Sequence, residues 1–394
     1  MKVLFVATVY HHLTSFHIPY MKYLQNKGFE VWAAGDGDEQ IKDELTKLGF
    51  RCIDFSFSRN PFTKDNIEAF RQLKKLFLHE DFALVHAHTP VASLLSRMAF
   101  RHGQGGKIIY TAHGFHFFKG APLLNWLIYY QLERVVARWT DRLITINQED
   151  YERALKMGYR KDVVHYVRGV GVEQHGIQLI NSEKVKLRNK LGLAEDAIVI
   201  SYIAEINKNK NHQFLLRNWE KIKMAIPKAS LLIMGEGGKA TEIERLIRDR
   251  QLQDVFLLGY RKDVNQLLGI TDIVSLLSYR EGLPKCIMEA MAAGIPCVVS
   301  DTRGLRDLIT DGENGFVIPL NDDERLVESF VTVLHDRTLR EKMGSVASRK
   351  IQPFLLENVL QDYIAIYEEM LPSGSDSDFG VKGERYECYE KNLR

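Results

Sequence analysis

Two glutamates, Glu281 and Glu289, flank a stretch whose residue types suit it to hold an anion. An apolar run ends near Leu277, and a loop then carries Glu281 and Gly282. Pro284 suits the first turn of a helix through Lys285, and Gly294 closes that helix with Pro296 beyond it. The free N–H groups at such a helix start form a ready site for a diphosphate. Gly282 lets the backbone approach a ligand closely. Carboxylates repel phosphate, so Glu281 and Glu289 make better sense as acceptors for the hydroxyls of a sugar and a ribose. A second polar loop, Ala204 to Asn211, contains Glu205, Asn207, Lys208 and Lys210. Histidines end two other apolar runs, as His86 and His88 in one and as His113 after the other.

Positioning these groups requires an alternating framework. Lys2–Val9, Glu30–Ala34, Ala83–His88, Lys107–Ala112 and Arg142–Asn147 read as short buried strands, with helices between them such as Phe16–Lys27 and Asp65–His79. The pattern restarts at Ala197–Ile203 and continues through Ser230–Met234, Val255–Gly259, Ile273–Leu277 and Pro296–Ser300, with helices at His212–Ile226, Thr241–Arg250 and Lys285–Ala293. Such repetition argues for α/β architecture with two parallel sheets covered on both faces. Residues 1–172 form the expected first domain and 173–353 the second, with Gly169 to Asn189 as the linker. A last helix, Phe354–Leu371, is expected to pack back on the first domain, and residues 372–394 to be a solvated, disordered tail. Two doubly wound domains leave a cleft, and ligands bind beyond the carboxyl ends of the strands.

The run from Glu281 through Gly282-Leu283-Pro284 to Glu289-Ala290-Met291-Ala292-Ala293-Gly294-Ile295-Pro296 resembles the donor-site signature of retaining family 4 glycosyltransferases. The resemblance implies the GT-B fold, two Rossmann-like domains facing a cleft. It implies that Glu281 holds the transferred sugar and Glu289 the ribose of a nucleotide sugar, with UDP the favoured nucleotide. Lys210 falls where the family places a lysine that neutralises the donor diphosphate. Glu205 stands where the family commonly has arginine, so one diphosphate cation is replaced, with Lys208 or Arg280 as substitutes. Asn207 lies in the same loop. Gly235 belongs to a match for the family's G-x-G loop, and Tyr260 and Arg261 lie where relatives hold the base. Leu283, Pro284 and Lys285 complete the donor set.

In the first half, His113 resembles the family histidine that lies beside the reacting sugar. The loop Tyr10 to His17 lacks the double glycine of many relatives and offers Ser15, Phe16 and His17 instead. With His88, these are the expected acceptor residues. This points to a subgroup resembling bacterial capsule and exopolysaccharide enzymes, whose acceptor is a glycan or a sugar on polyprenyl diphosphate. The implied reaction moves a hexose or N-acetylhexosamine with retention. No nucleophile stands out, which favours front-side attack assisted by the departing phosphate. Lys119 to Arg142 mixes Leu, Trp and Tyr with arginines and fits either a membrane interface or a core helix with a basic outer face. His86 and His88 share a face by alternation, but no third metal ligand is apparent. Asp36-Gly37-Asp38 reads as a turn. No metal and no cofactor beyond the nucleotide sugar are therefore expected.

Bulk properties bound the alternatives. At 394 residues the chain fits two domains of about 150–200 residues. A net charge of +2 gives no argument for nucleic acid. Four scattered cysteines, Cys52, Cys286, Cys297 and Cys388, point to a reducing, cytoplasmic setting, with the membrane's cytoplasmic face as a possible platform. No run reaches the roughly 18–20 apolar residues of a membrane span. Two rivals share the architecture: a nucleotide-sugar epimerase, revealed by an epimerised free donor, and a non-catalytic partner subunit, revealed by donor binding without turnover. Oligomeric state is not legible from the sequence.

Overall fold

The computed structural model describes residues 1–58, 60, 63–101, 105–118, 120–174 and 179–371. The expected tail 372–394 and Lys119 lie outside the described residues. Seven strands form the first sheet: β1 (Lys2–Val9), β2 (Glu30–Asp36), β3 (Arg51–Asp54), β4 (Phe82–His88), β5 (Lys107–Ala112), β6 (Arg142–Thr145) and β7 (Val164–Tyr166). Their order is β3-β2-β1-β4-β5-β6-β7, and every pair is parallel. Six more strands form the second sheet: β8 (Ile198–Ile203), β9 (Ala229–Met234), β10 (Val255–Gly259), β11 (Ile273–Leu276), β12 (Cys297–Ser300) and β13 (Gly315–Ile318). That sheet runs β10-β9-β8-β11-β12-β13, also all parallel. This is the α/β, GT-B architecture.

Each order reverses direction once, between β1 and β4 and between β8 and β11. At these switch points the loops leave in opposite directions and open a crevice. Residues after β1 and β4, and after β8 and β11, therefore line these crevices. The strands are apolar on both faces because helices cover both: β9 is buried at all six positions.

Three local expectations are corrected. The loop Tyr10 to His17 is a helix, Tyr10–Phe16, followed directly by a second helix, Ile18–Asn26. Val9, its N-cap, supplies no side-chain cap, so the start carries no sequence signal. The expected linker contains the helix Asn181–Lys190, which buries no residue and has no apolar stripe to betray it. Pro284 is the N-cap of the helix Lys285–Ala292 rather than its first residue.

The helix Leu356–Met370 crosses from the second unit to the first. Val359, Tyr363, Ile366 and Tyr367 join the core formed by Val3, Phe5, Tyr20, Leu24 and Leu84. The crossing is fixed beside Val172, whose N–H donates to the Phe354 carbonyl (3.1 Å) and whose carbonyl accepts from the Leu356 N–H (2.9 Å). Burying each large apolar side chain contributes about 1.5–3 kcal/mol, so this helix is a wall of the first domain's core.

Candidate active site

Lys210 and Glu281 meet at the switch point of the second sheet, with Nζ 2.6 Å from Oε1. Lys210 follows β8 and Glu281 follows β11, the two strands between which the order reverses. The loops carrying them are tied together. The Tyr279 N–H donates to the Asn209 carbonyl (2.9 Å), and Asn209 Nδ2 donates to the Arg280 carbonyl (2.9 Å). Asn207 Oδ1 accepts from the Lys210 N–H at 3.0 Å, and the buried Tyr202 hydroxyl donates to the Lys210 carbonyl. Burial pulls the Lys210 ammonium toward neutrality, but the groups around it, Glu281 foremost among them, together outweigh burial and the net shift is upward. Lys210 is thus a fixed cation, with Glu205 exposed nearby and adding to the field that keeps it charged.

The donor-side loops close around this pair. Gly235 has φ +144°, and a Cβ there would lie 1.9 Å from the Ala204 carbonyl oxygen, so only glycine allows the loops after β8 and β9 to touch. The Tyr260 N–H reaches Glu236 Oε1 at 3.3 Å, while the Tyr260 side chain is exposed. Arg261 is committed to Asp263, with contacts of 2.8 and 2.6 Å. Lys285 and Glu289 approach to 3.6 Å one turn apart. Leu283 and Pro284 are buried under them. Burial pushes the Cys286 thiol up to about 12, so it supplies no thiolate.

Gly282 also joins the two halves of the site. A Cβ at Gly282 would lie 1.9 Å from the carbonyl oxygen of His113. The glycine lets the donor loop press against the end of β5, and so brings Glu281 beside the His113 segment. Arg303 locks this junction. Its Nη1 pairs with Asp150, Nη2 donates to the Phe115 carbonyl, and Nε donates to the Glu281 carbonyl at 3.2 Å. Both charged side chains are buried, at 3% and 0% exposure. Arg280 stands close enough to His116 and Arg303 to oppose protonation of both.

On the facing side, His113 Nε2 lies 3.4 Å from His88 Nδ1. His17 and His88 are fully buried, so an acceptor would meet them only through His12, Phe16 or His113. Ser15 Oγ pairs with His11 Nε2 at 3.3 Å. His86 is satisfied by Tyr367 and Thr111, each at 2.8 Å. Burial lowers the ring of His12 to about 4 and that of His86 to about 3, and His17, His88 and His113 shift well down for the same leading reason. Asp36 and Asp38 serve as turn and N-cap, accepting from the Gly37 and Gln40 N–H groups.

Residues 183–350 match the family described as Glycosyl transferases group 1, and residues 20–170 match Glycosyltransferase Family 4. The Bacillus subtilis (strain 168) protein EpsD, itself named as a glycosyltransferase, is 36% identical over 93% of this chain and 96% of its own length. The chain belongs to the family 4 glycosyltransferases. An Escherichia coli UDP-Gal:alpha-D-GlcNAc-diphosphoundecaprenol alpha-1,3-galactosyltransferase is 28% identical over 79% of this chain and 82% of its own. The Anabaena protein HepE, solved in complex with UDP and glucose, superposes with a TM-score of 0.77 at 20% identity, covering 94% of this chain and 100% of its own. This family 4 glycosyltransferase is therefore a hexosyltransferase of GT-B architecture, related to enzymes of polysaccharide and capsule biosynthesis. No helix among the described residues is long and apolar enough to cross a membrane.

Proposed function

We propose that the enzyme transfers a hexose or N-acetylhexosamine from a UDP-linked donor to a sugar carried on polyprenyl diphosphate, retaining the anomeric configuration, in cell-surface polysaccharide synthesis. The observation that carries this reading is the Lys210–Glu281 pair at the second switch point, pressed by Gly282 against the His113 segment. Donor binding inserts between the partners: Lys210 turns to the diphosphate and Glu281 to the sugar hydroxyls, while Glu289 takes the ribose. Arg280 supplies the second positive charge that Glu205 does not. The acceptor oxygen attacks the anomeric carbon on the face the diphosphate is leaving. The carbon–oxygen bond to phosphate breaks with its electron pair on the diphosphate, and the acceptor proton passes to a departing phosphate oxygen. Lys210 and the N-terminal turn at Lys285 carry the developing charge. Charge is thus met by this chain's own residues, and transfer calls for no metal.

The E. coli relative's named acceptor, a sugar on diphosphoundecaprenol, supports the acceptor class. So does the surface of the first domain. Leu123, Leu124 and Leu127 are exposed at 80%, 63% and 69%, while Trp126, Tyr129 and Tyr130 of the same segment pack inward on Phe117 and its neighbours. Exposed Arg134 and Arg138 follow on the next turns. An apolar patch edged by cations suits the cytoplasmic face of an anionic membrane. Vesicles containing anionic lipid should sediment the protein, and Leu124→Glu with Leu127→Glu should weaken that association by about 10-fold or more. Unchanged sedimentation would remove the membrane from the reading.

The direct test of the donor is a thermal shift against UDP- and GDP-linked sugars. A bound donor raises stability by mass action, so a UDP-hexose should raise Tm and its GDP counterpart should not. A response to GDP-sugars alone would overturn the nucleotide assignment. Radiolabel transfer to a synthetic polyprenyl-diphosphate sugar then reads the acceptor.

A further inference from the structure

Four histidines from three separate stretches of chain converge beyond the first sheet. His12 lies on the helix Tyr10–Phe16 and His17 is its C-cap, His88 ends β4, and His113 follows β5. Each offers one ring nitrogen, and these four atoms lie within 4.8 Å of one another. His113 Nε2 lies 3.4 Å from His88 Nδ1. A tetrahedral ion with bonds of about 2.0–2.1 Å sets its ligand atoms roughly 3.4 Å apart. The rings of His17 and His88 stack at 3.7 Å, and His12 meets His113 edge-on at 4.5 Å.

The hydrogen bonding of these rings is incomplete. Both nitrogens of His17, Nε2 of His12 and Nε2 of His88 are buried without a hydrogen-bond partner among the described residues. A neutral imidazole carries one donor and one acceptor, and burying them unmatched is unfavourable. His86 lies beside His88 yet differs, because both its nitrogens are matched by hydroxyls. No carboxylate or thiol belongs to the cluster. An all-imidazole set suits zinc and its neighbours among the transition metals, and does not suit magnesium or calcium.

We propose that His12, His17, His88 and His113 form a binding site for one divalent transition-metal ion of the zinc class. Four protein ligands fill a tetrahedral shell, so the ion is structural rather than hydrolytic. It ties the helix after β1 to the ends of β4 and β5, and it fixes the ring of His113 where the donor loop presses on its carbonyl. The site was hidden in the sequence because His86 and His88 supplied only a pair, and the remaining ligands lie in two distant stretches. The inference stands on the cluster alone and does not depend on which donor or acceptor the enzyme uses.

The test uses the full chain without a histidine tag, stripped with a chelator and titrated with Zn²⁺ against a chromophoric competitor, then with Co²⁺. The expected result is one equivalent bound per chain, a raised Tm in Zn²⁺, and the intense visible absorption of tetrahedral Co²⁺. His17→Ala and His88→Ala should each weaken binding by at least about 100-fold. Those rings are fully buried, so His12→Ala, at a half-buried position, serves as the second variant and should weaken Zn²⁺ binding by at least about 10-fold with an unchanged circular-dichroism spectrum. Binding well below one equivalent, a weak octahedral Co²⁺ spectrum, or Zn²⁺ affinity unaffected in His12→Ala would each overturn the site.

Discussion

Lys210→Ala should lower turnover by about 10²–10³-fold, the loss seen when one fixed group that meets developing charge is removed. Glu281→Ala should fall at least as far, because the carboxylate is the proposed partner of the sugar hydroxyls. The two residues meet at 2.6 Å, and their side chains are only 22% and 9% exposed. Removing either one leaves a charge in a largely desolvated site, so part of the damage could be lost stability. A fully buried pair broken on one side costs about 3–5 kcal/mol, and partial exposure makes the cost smaller here. Chemical denaturation separates the effects. The double variant Lys210→Met with Glu281→Gln leaves no unpaired charge and should recover most of the stability and none of the turnover. Near-wild-type turnover in either alanine variant would sink the proposed roles of both residues.

Arg303→Ala should destabilise the protein by about 3–5 kcal/mol, because it leaves the Asp150 carboxylate buried without its cation. The pH dependence of that loss has a defined sign. Burial raises the Asp150 pKa above its ordinary value, and the charge of Arg303 opposes the rise. In the variant the opposing charge is gone, so the folded-state pKa climbs further above the unfolded one. A folded state that holds a proton the unfolded state has lost becomes less stable as pH rises between the two values. Urea denaturation should therefore show a larger deficit at pH 7.5 than at pH 5. Asp150→Asn in the same chain should narrow the gap and flatten its pH dependence. Turnover should fall too, since Arg303 also supports the Glu281 carbonyl and the junction beside His113. An equal deficit at both pH values would show that Asp150 is not the group left exposed to its burial.

The segment from Glu281 to Pro296 was legible because its signals are local. The run from Glu281 to Pro296 encodes a loop and a helix in sixteen consecutive residues, and Lys210 follows the clear strand β8. On the facing side His17, His88 and His113 were legible singly but not as a cluster, because the histidines are gathered from separate stretches and single-strand alternation could pair only His86 with His88. The helices Tyr10–Phe16 and Asn181–Lys190 escaped notice for lack of a side-chain cap in one and of any buried face in the other. Strands β3 and β7 have only four and three residues, too few for a period to show. Arg303 has no local signal of what it binds. Its partners Asp150 and Phe115 lie far upstream, and only the folded chain brings a cation to that buried carboxylate.

The returning helix Leu356–Met370 imposes an order on the making of the protein. Tyr363 and Tyr367 complete the core of the first sheet, and Tyr367 bonds to His86, yet they are translated roughly 200 residues after β7. At ribosomal speeds of about 5–20 residues per second, the first sheet waits on the order of 10–40 s with one wall missing. During that interval a nascent chain exposes Phe5, Tyr20 and Leu84 to the cell's chaperones. Cutting the gene between residues 172 and 173 would make the wait permanent, so separate expression of the two halves should yield a soluble carboxyl-terminal piece only when its last helix is removed or its partner is supplied.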